Sequence, residues 1–173
     1  MVVDYRTGRG TVRAVEDVSF CLEEGETLGL AGESGSGKST LGLSLIRLVP
    51  YPGVIAQGHI KIDGTDILKL SENEMHSIRG RKIAYIFQDP MTSLNPVKRI
   101  GAHFVELIHT HEPNTSKEET FTRTKTILKN LGILPERIND YPHQFSGGMR
   151  QRIMIGLAIA LNPDLVIADE PTT

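Results

Sequence analysis

The chain has 173 residues, 39% of them hydrophobic and 23% charged, with a formal net charge of −2. That composition fits a globular core, and a near-neutral balance without a basic block argues against binding nucleic acid through a phosphate footprint. The longest apolar run, Ile153 to Leu161, falls short of the roughly 20 residues that span a bilayer, and the lone Cys21 excludes an internal disulfide or a cysteine-based metal site.

Met1 to Tyr5 reads as a strand and has none of the charged, apolar and small-residue pattern of a secretory leader, so a cytosolic polypeptide is expected. Arg6 to Gly10 is a turn. Thr11 to Leu22 alternates as a second strand, with Val12, Ala14, Val18 and Phe20 facing inward. After the polar turn Glu23 to Glu26, the apolar run Thr27 to Ala31 predicts a buried strand. It feeds Gly32-Glu33-Ser34-Gly35-Ser36-Gly37-Lys38-Ser39-Thr40, which satisfies the phosphate-loop pattern, and then a helix over Leu41 to Val49. Gly35 and Gly37 let the backbone take conformations that side chains resist and come close to a ligand. Successive N–H groups then converge at a helix N-terminus carrying about half a positive charge. Lys38 suits the outer phosphates as a point charge, and the Ser39 hydroxyl suits the shell of a Mg²⁺ ion. The plain alternative is a glycine-rich turn before a helix; the complete nine-residue string favours nucleotide binding.

Tyr51-Pro52-Gly53 breaks that helix, and His59 to Ile62 alternates into the hairpin signal Asp63-Gly64. Ser71 with Glu74 is a capping box opening a short helix that ends near Gly80. Ile83 to Phe87 is an apolar run of strand length, closed by Gln88. Beyond Pro90 the texture changes. Met91 to Pro96 is a polar loop, and Val97 to Gly132 has a helical period. Phe104, Leu107 and Ile108 share one face; Phe121, Ile127, Leu128 and Leu131 share a later one. Glu112 to Ser116 interrupts the pattern, and Ser116 with Glu119 is a second capping box. Residues 90–163 therefore read as a helical lobe inserted into an α/β core of residues 1–89 and 164–173, with the last helix starting near Ser146.

Leu165 to Ala168 is a short strand that ends on Asp169-Glu170. Ligands of open α/β sheets lie beyond the carboxyl ends of the strands. There Asp169 could hold Mg²⁺, directly or through water, and Glu170 could orient or deprotonate an attacking water. The Gln88 amide, at the end of its own strand, could touch both the metal shell and the water. In isolation Asp169-Glu170-Pro171 would read as a strand-ending turn. Phe145-Ser146-Gly147-Gly148-Met149 opens the helix Arg150 to Leu161 and makes a second helix N-terminus with exposed N–H groups. It is either a second anion site or a capped helix start, and a two-fold dimer sharing its nucleotides would account for two such sites.

With these strings in this order, the chain resembles the nucleotide-binding subunit of an ABC transporter over essentially its whole length. Tyr5 matches the aromatic that stacks on adenine, Gly32 to Thr40 the Walker A loop, Gln88 the Q-loop, Ser146 to Met149 the signature, and Leu165 to Glu170 Walker B. The resemblance implies an α/β phosphate-loop fold of the ABC ATPase type, its core sheet joined by an N-terminal antiparallel β portion and an inserted α-helical lobe. It implies ATP and Mg²⁺ as cofactors, with Ser39, Gln88 and Asp169 around the metal and Glu170, assisted by Gln88, at the attacking water. It also implies a head-to-tail dimer, with ATP between Walker A of one subunit and Ser146-Gly147-Gly148 of the other.

Phe145 stands where Leu is usual, and Met149 where Gln is usual. Both are similar to the branch serving peptide and nickel importers, as are Gln88 to Pro96 and Tyr141-Pro142-His143-Gln144. That branch implies a second, different ATP-binding subunit in preference to a homodimer, integral-membrane permease subunits and an extracytoplasmic solute-binding protein. The chain is then expected on the inner face of the cell membrane. The family's D-loop and switch histidine are not found by Thr173, so the chain reads as truncated shortly after Walker B and is expected, alone, to bind nucleotide poorly and hydrolyse it very little. Two other classes compete. A non-transport ABC-type ATPase acting on DNA or ribosomes would usually show a long coiled-coil insertion or tandem cassettes. A small-molecule phosphate-loop kinase would leave Ser146-Gly147-Gly148 without a purpose.

Overall fold

The computed structural model describes residues 1–88 and 93–171. Asp89 to Thr92, within the branch-specific string that starts at Gln88, lie outside the described residues. The chain divides into two units, Met1–Met75 and His76–Thr173.

In the first unit, β1 (Val2–Thr7) pairs antiparallel with β2 (Gly10–Val15) and with β3 (Gly53–Gln57), in the order β2-β1-β3. Val3 lies opposite both Val15 and Ile55, and this row packs on Leu41 of α1 (Lys38–Leu45) to form a small core. β2 is shorter than the sequence predicts. Val15 takes the inward place, while Val12 and Phe20 are exposed. A register shift between Val3 and Asp4 skips Ala14 and sets Val15 opposite Val3, so Val15 and not Ala14 faces the core there; Phe20 lies beyond the end of β2.

The strand predicted over Thr27 to Ala31 is also corrected. That segment joins no ladder, and Leu28 and Leu30 are 51% and 53% exposed. A strand exists only where a neighbour takes up its N–H and C=O groups, and no described strand does so here.

The Asp63-Gly64 signal does produce a hairpin. Both residues have positive φ, 49° and 77°, between β4 (Lys61–Ile62) and β5 (Thr65–Asp66). The Asp66 carboxylate then caps the single turn Ile67–Lys69, accepting from the Leu68 N–H. Arg47 fastens this turn: its guanidinium donates to the carbonyls of Ile67 (3.0 Å) and Leu70 (2.6 Å) and pairs with Glu72 at 2.8 Å. The predicted capping box opens α2 (Glu72–Ile78). Ser71 N–H donates to the Glu74 carboxylate at 2.7 Å, and Glu74 N–H to Ser71 Oγ at 3.3 Å.

In the second unit, β6 (Ile83–Ile86) runs parallel to β7 (Leu165–Ala168), in register from Ile83/Leu165 to Ile86/Ala168. Three helices, α3 (Ile100–His111), α4 (Lys117–Asn130) and α5 (Gly147–Ile159), enclose a core containing Ile100, Phe104, Leu128, Ile133 and Ile153. Ser116 caps α4 as predicted, accepting from the Glu119 N–H at 3.1 Å. The predicted apolar face of α4 needs one correction: Phe121 is 37% exposed, whereas Thr120 and Thr124 are buried. Both threonine hydroxyls donate to the carbonyl four residues back, at 2.9 and 2.7 Å, which removes the cost of burying them. No helix among the described residues is long and apolar enough to cross a membrane.

Candidate functional site: glycine loop, strand-end carboxylates and a second helix start

The glycine loop delivers α1 with its first N–H groups uncommitted. Gly37 is the residue before the helix, at φ 92°, and no side chain caps it. A Cβ there would fall 2.2 Å from the Ala14 carbonyl oxygen. Both the backbone sign and the approach of β2 therefore require glycine. The first helical bond runs from Leu41 N–H to the Gly37 carbonyl at 2.8 Å. The N–H groups of Lys38, Ser39 and Thr40 precede that ladder and are the ones an anion can take.

Lys38 arches over the loop, its ammonium donating to the carbonyls of Gly32 and Glu33, both at 2.8 Å. Ser36 N–H donates to the Glu33 carbonyl at 3.2 Å, closing the turn through Ser34 and Gly35, the latter at φ 80°. Tyr5 reaches the far end of the string. It lies opposite Gly53, where a Cβ would meet its ring at 2.8 Å, and its hydroxyl is 3.5 Å from Thr40 Oγ1.

The second unit presents the carboxylates. Asp169 N–H extends the β6–β7 ladder by donating to the Ile86 carbonyl at 3.0 Å. Tyr85 pairs with Ile167, two residues before Asp169, so its side chain lies diagonal to that carboxylate on the same face. The Tyr85 hydroxyl donates to Asp169 Oδ2 at 2.9 Å. Burial first, then this bond to a carboxylate, push the phenol far above its ordinary value, so it stays protonated and donating. Gln88 Nε2 donates to Glu170 Oε2 at 2.5 Å. Glu170 has φ 47°, a left-handed conformation that costs a non-glycine residue about 1–2 kcal/mol and ends the strand's alternation at that point. The Gln151 amide of α5 donates to the carbonyl of the next residue, Pro171.

The second helix start is built on Ser146, whose Oγ accepts from the Met149 N–H at 3.4 Å. A Cβ on Gly147 or Gly148 would meet nothing within 4 Å, so contacts of this chain do not demand glycine at either position. Phe145 is buried with the Arg137 guanidinium 4.0 Å over its ring. The same guanidinium reaches Met149 Sδ at 3.8 Å.

Ser39, Gln88 and Asp169 offer hydroxyl, amide and carboxylate oxygens, the hard donors that Mg²⁺ takes. Their bonds are compatible with that use. Asp169 accepts from Tyr85 through Oδ2, leaving Oδ1, and Gln88 spends its N–H on Glu170, leaving its carbonyl oxygen. Among the described residues no cluster of three or more His, Cys, Asp or Glu could hold a metal ion. Sequence reasoning missed Tyr85. The only signal was positional, a lone phenol in an otherwise aliphatic strand.

A glycine loop feeding a helix N-terminus, with a parallel strand that ends on two carboxylates, defines a phosphate-loop α/β protein. The ABC transporter family model matches residues 15–173, and the chain belongs to that family. It is 48% identical, over its whole length, to the oligopeptide transport ATP-binding protein OppD of Bacillus subtilis, covering 49% of that relative. It is 46% identical to the dipeptide transport ATP-binding protein DppD of Lactococcus lactis, with 99% of this chain and 50% of the relative covered. The chain thus spans about half the length of the curated relatives it matches. Among solved structures, it is similar to the dimeric bacterial ABC transporter cassette MJ0796 (TM-score 0.85, 32% identity, 99% of this chain and 72% of that one). A post-hydrolysis dimer of that cassette, bound to ADP and Pi, gives a TM-score of 0.83 at 31% identity, with 99% of this chain and 75% of that one covered. The fold is therefore that of the ABC ATPases, as the motifs imply.

Proposed function

We propose that the chain is the ATP-binding and ATP-hydrolysing part of an ABC importer of di- or oligopeptides. The observation that carries this reading is its 48% identity, over the whole chain, to an oligopeptide transport ATP-binding protein. In this reading Lys38 and the N–H groups of Gly35 to Thr40 hold the β- and γ-phosphates, and Tyr5 stacks on the adenine. Ser39, Asp169 and the Gln88 carbonyl hold Mg²⁺, which when bound offsets phosphate charge. Glu170 orients the attacking water and takes its proton, with Gln88 fixing the carboxylate. Reactions of this kind are accelerated by positioning and charge stabilisation, which these groups supply.

Ser146, Gly147, Gly148 and Met149 act on the nucleotide of a partner subunit. Open space around the two glycines supports this, because a phosphate could approach their N–H groups closely. The partner is a second, different ATP-binding subunit. Residues 90–163 form the helical lobe that meets the integral-membrane permease subunits, and an extracytoplasmic binding protein supplies the solute. The chain works in the cytoplasm, on the inner face of the membrane, without nucleic acid. Readings as a DNA- or ribosome-directed ATPase or a small-molecule kinase are disfavoured by the run of transport ATPases among its relatives.

The test is purification of the intact protein from its native membrane fraction, followed by an assay with MgATP. Co-purification with integral-membrane subunits and release of free phosphate are expected. Co-purification with nucleic acid, or transfer of the phosphoryl group to a small-molecule acceptor, would overturn the reading.

A further inference from the structure

We propose that Tyr85 is a positioning residue for Asp169, fixing one carboxylate oxygen so that the other is kept for the metal ion. The inference rests on the reading of Asp169 as a Mg²⁺-holding residue. It starts from register. Tyr85 lies opposite Ile167 in a parallel pair, and Asp169 follows two residues later on the same face. A phenol there spans the diagonal, and its hydroxyl meets Oδ2 at 2.9 Å. Ile83, the other β6 residue on that face, is buried and aliphatic, so the phenol adds a polar group to an otherwise apolar row. Tyr85 is partly buried, which strips some water from the phenol oxygen, and its hydrogen-bond partner is the Asp169 carboxylate.

The Phe87 ring, 4.7 Å from that of Tyr85 and tilted by 49°, restricts the phenol further. Gln88 repeats the arrangement three residues on, donating to Glu170. The β6 segment therefore provides one donor for each carboxylate at the end of β7. Partners of this kind orient metal-binding carboxylates, and their loss costs about 10–100-fold in metal affinity.

The experiment compares wild type, Tyr85→Phe, Tyr85→Met and Asp169→Asn in the intact protein. Binding of a fluorescent ATP analogue is followed in EDTA and across a Mg²⁺ titration, with circular dichroism as the check on folding. Both Tyr85 variants should bind the analogue in EDTA as wild type does and need about tenfold more Mg²⁺ to reach the half-saturated, metal-dependent signal. Mg²⁺ curves of both variants that superimpose on wild type, while Asp169→Asn shifts, would overturn the role of Tyr85 alone. A wild-type signal indifferent to Mg²⁺, or an unshifted Asp169→Asn curve, would overturn the Asp169 assignment and this proposal with it.

Discussion

Gly37 combines a left-handed backbone with an atom of β2 lying where its Cβ would be. Gly37→Ala should cost about 1–3 kcal/mol from the backbone alone, with a further cost from displacing Ala14. The expected outcome is a lowered unfolding midpoint in denaturant together with weakened nucleotide binding. His111 gives a prediction of a different kind. Burial first, then the nearby Arg81, hold its imidazole below the ordinary value of 6.5. The unfolded chain therefore binds that proton at higher pH than the folded one. The contribution of His111 to stability is full above about pH 6.5 and is lost as pH falls through the unfolded and then the folded value. Thermal unfolding of wild type and His111→Gln between pH 8 and 5 checks this: the wild-type midpoint should fall more steeply on the acid side. At this scale the sequence was partly legible. The phosphate-loop residues announce themselves by spacing, whereas the partners of Asp169 and Glu170 depend on the β6–β7 register, which links residues more than 80 positions apart.

Among the elements, the helix starts were the most legible, because a capping box is written within four residues. Ser71/Glu74 forms both reciprocal bonds, while at Ser116/Glu119 the Ser116 cap forms by accepting from the Glu119 N–H. Ser146→Ala should cost about 1 kcal/mol by removing the cap of α5, measurable in an unfolding titration. The strands were less legible because a ladder needs a distant partner. Thr27 to Ala31 has the composition of a buried strand and no described neighbour, and the register shift at Ala14 that brings Val15 opposite Val3 cannot be read from alternation alone. Helix packing was legible in its large residues and not in its small ones. At Gly156 a Cβ would meet Leu131 at 2.7 Å and Ile127 at 3.0 Å, so α5 approaches α4 closely there. Gly156→Val should cost about 1–3 kcal/mol by overpacking, seen as a lower unfolding midpoint.

For the whole molecule, the family was legible from five short strings in order, because each is bound to a chemical task and not to packing. The assignment to the ABC transporter family and the likeness to ABC cassettes agree with that reading. What one sequence cannot express is the contribution of a partner to a composite site. Among the described residues the contact made by Ser146-Gly147-Gly148 is the cap of α5, and the task proposed for it lies on another subunit. The central claim is that this chain hydrolyses ATP with Glu170 as the base. The most direct test is Glu170→Gln in the intact protein, with equilibrium ATP binding and phosphate release measured together. The account predicts ATP binding at wild-type strength and turnover reduced about 10²–10⁴-fold. Turnover near the wild-type rate, with ATP still bound, would contradict it.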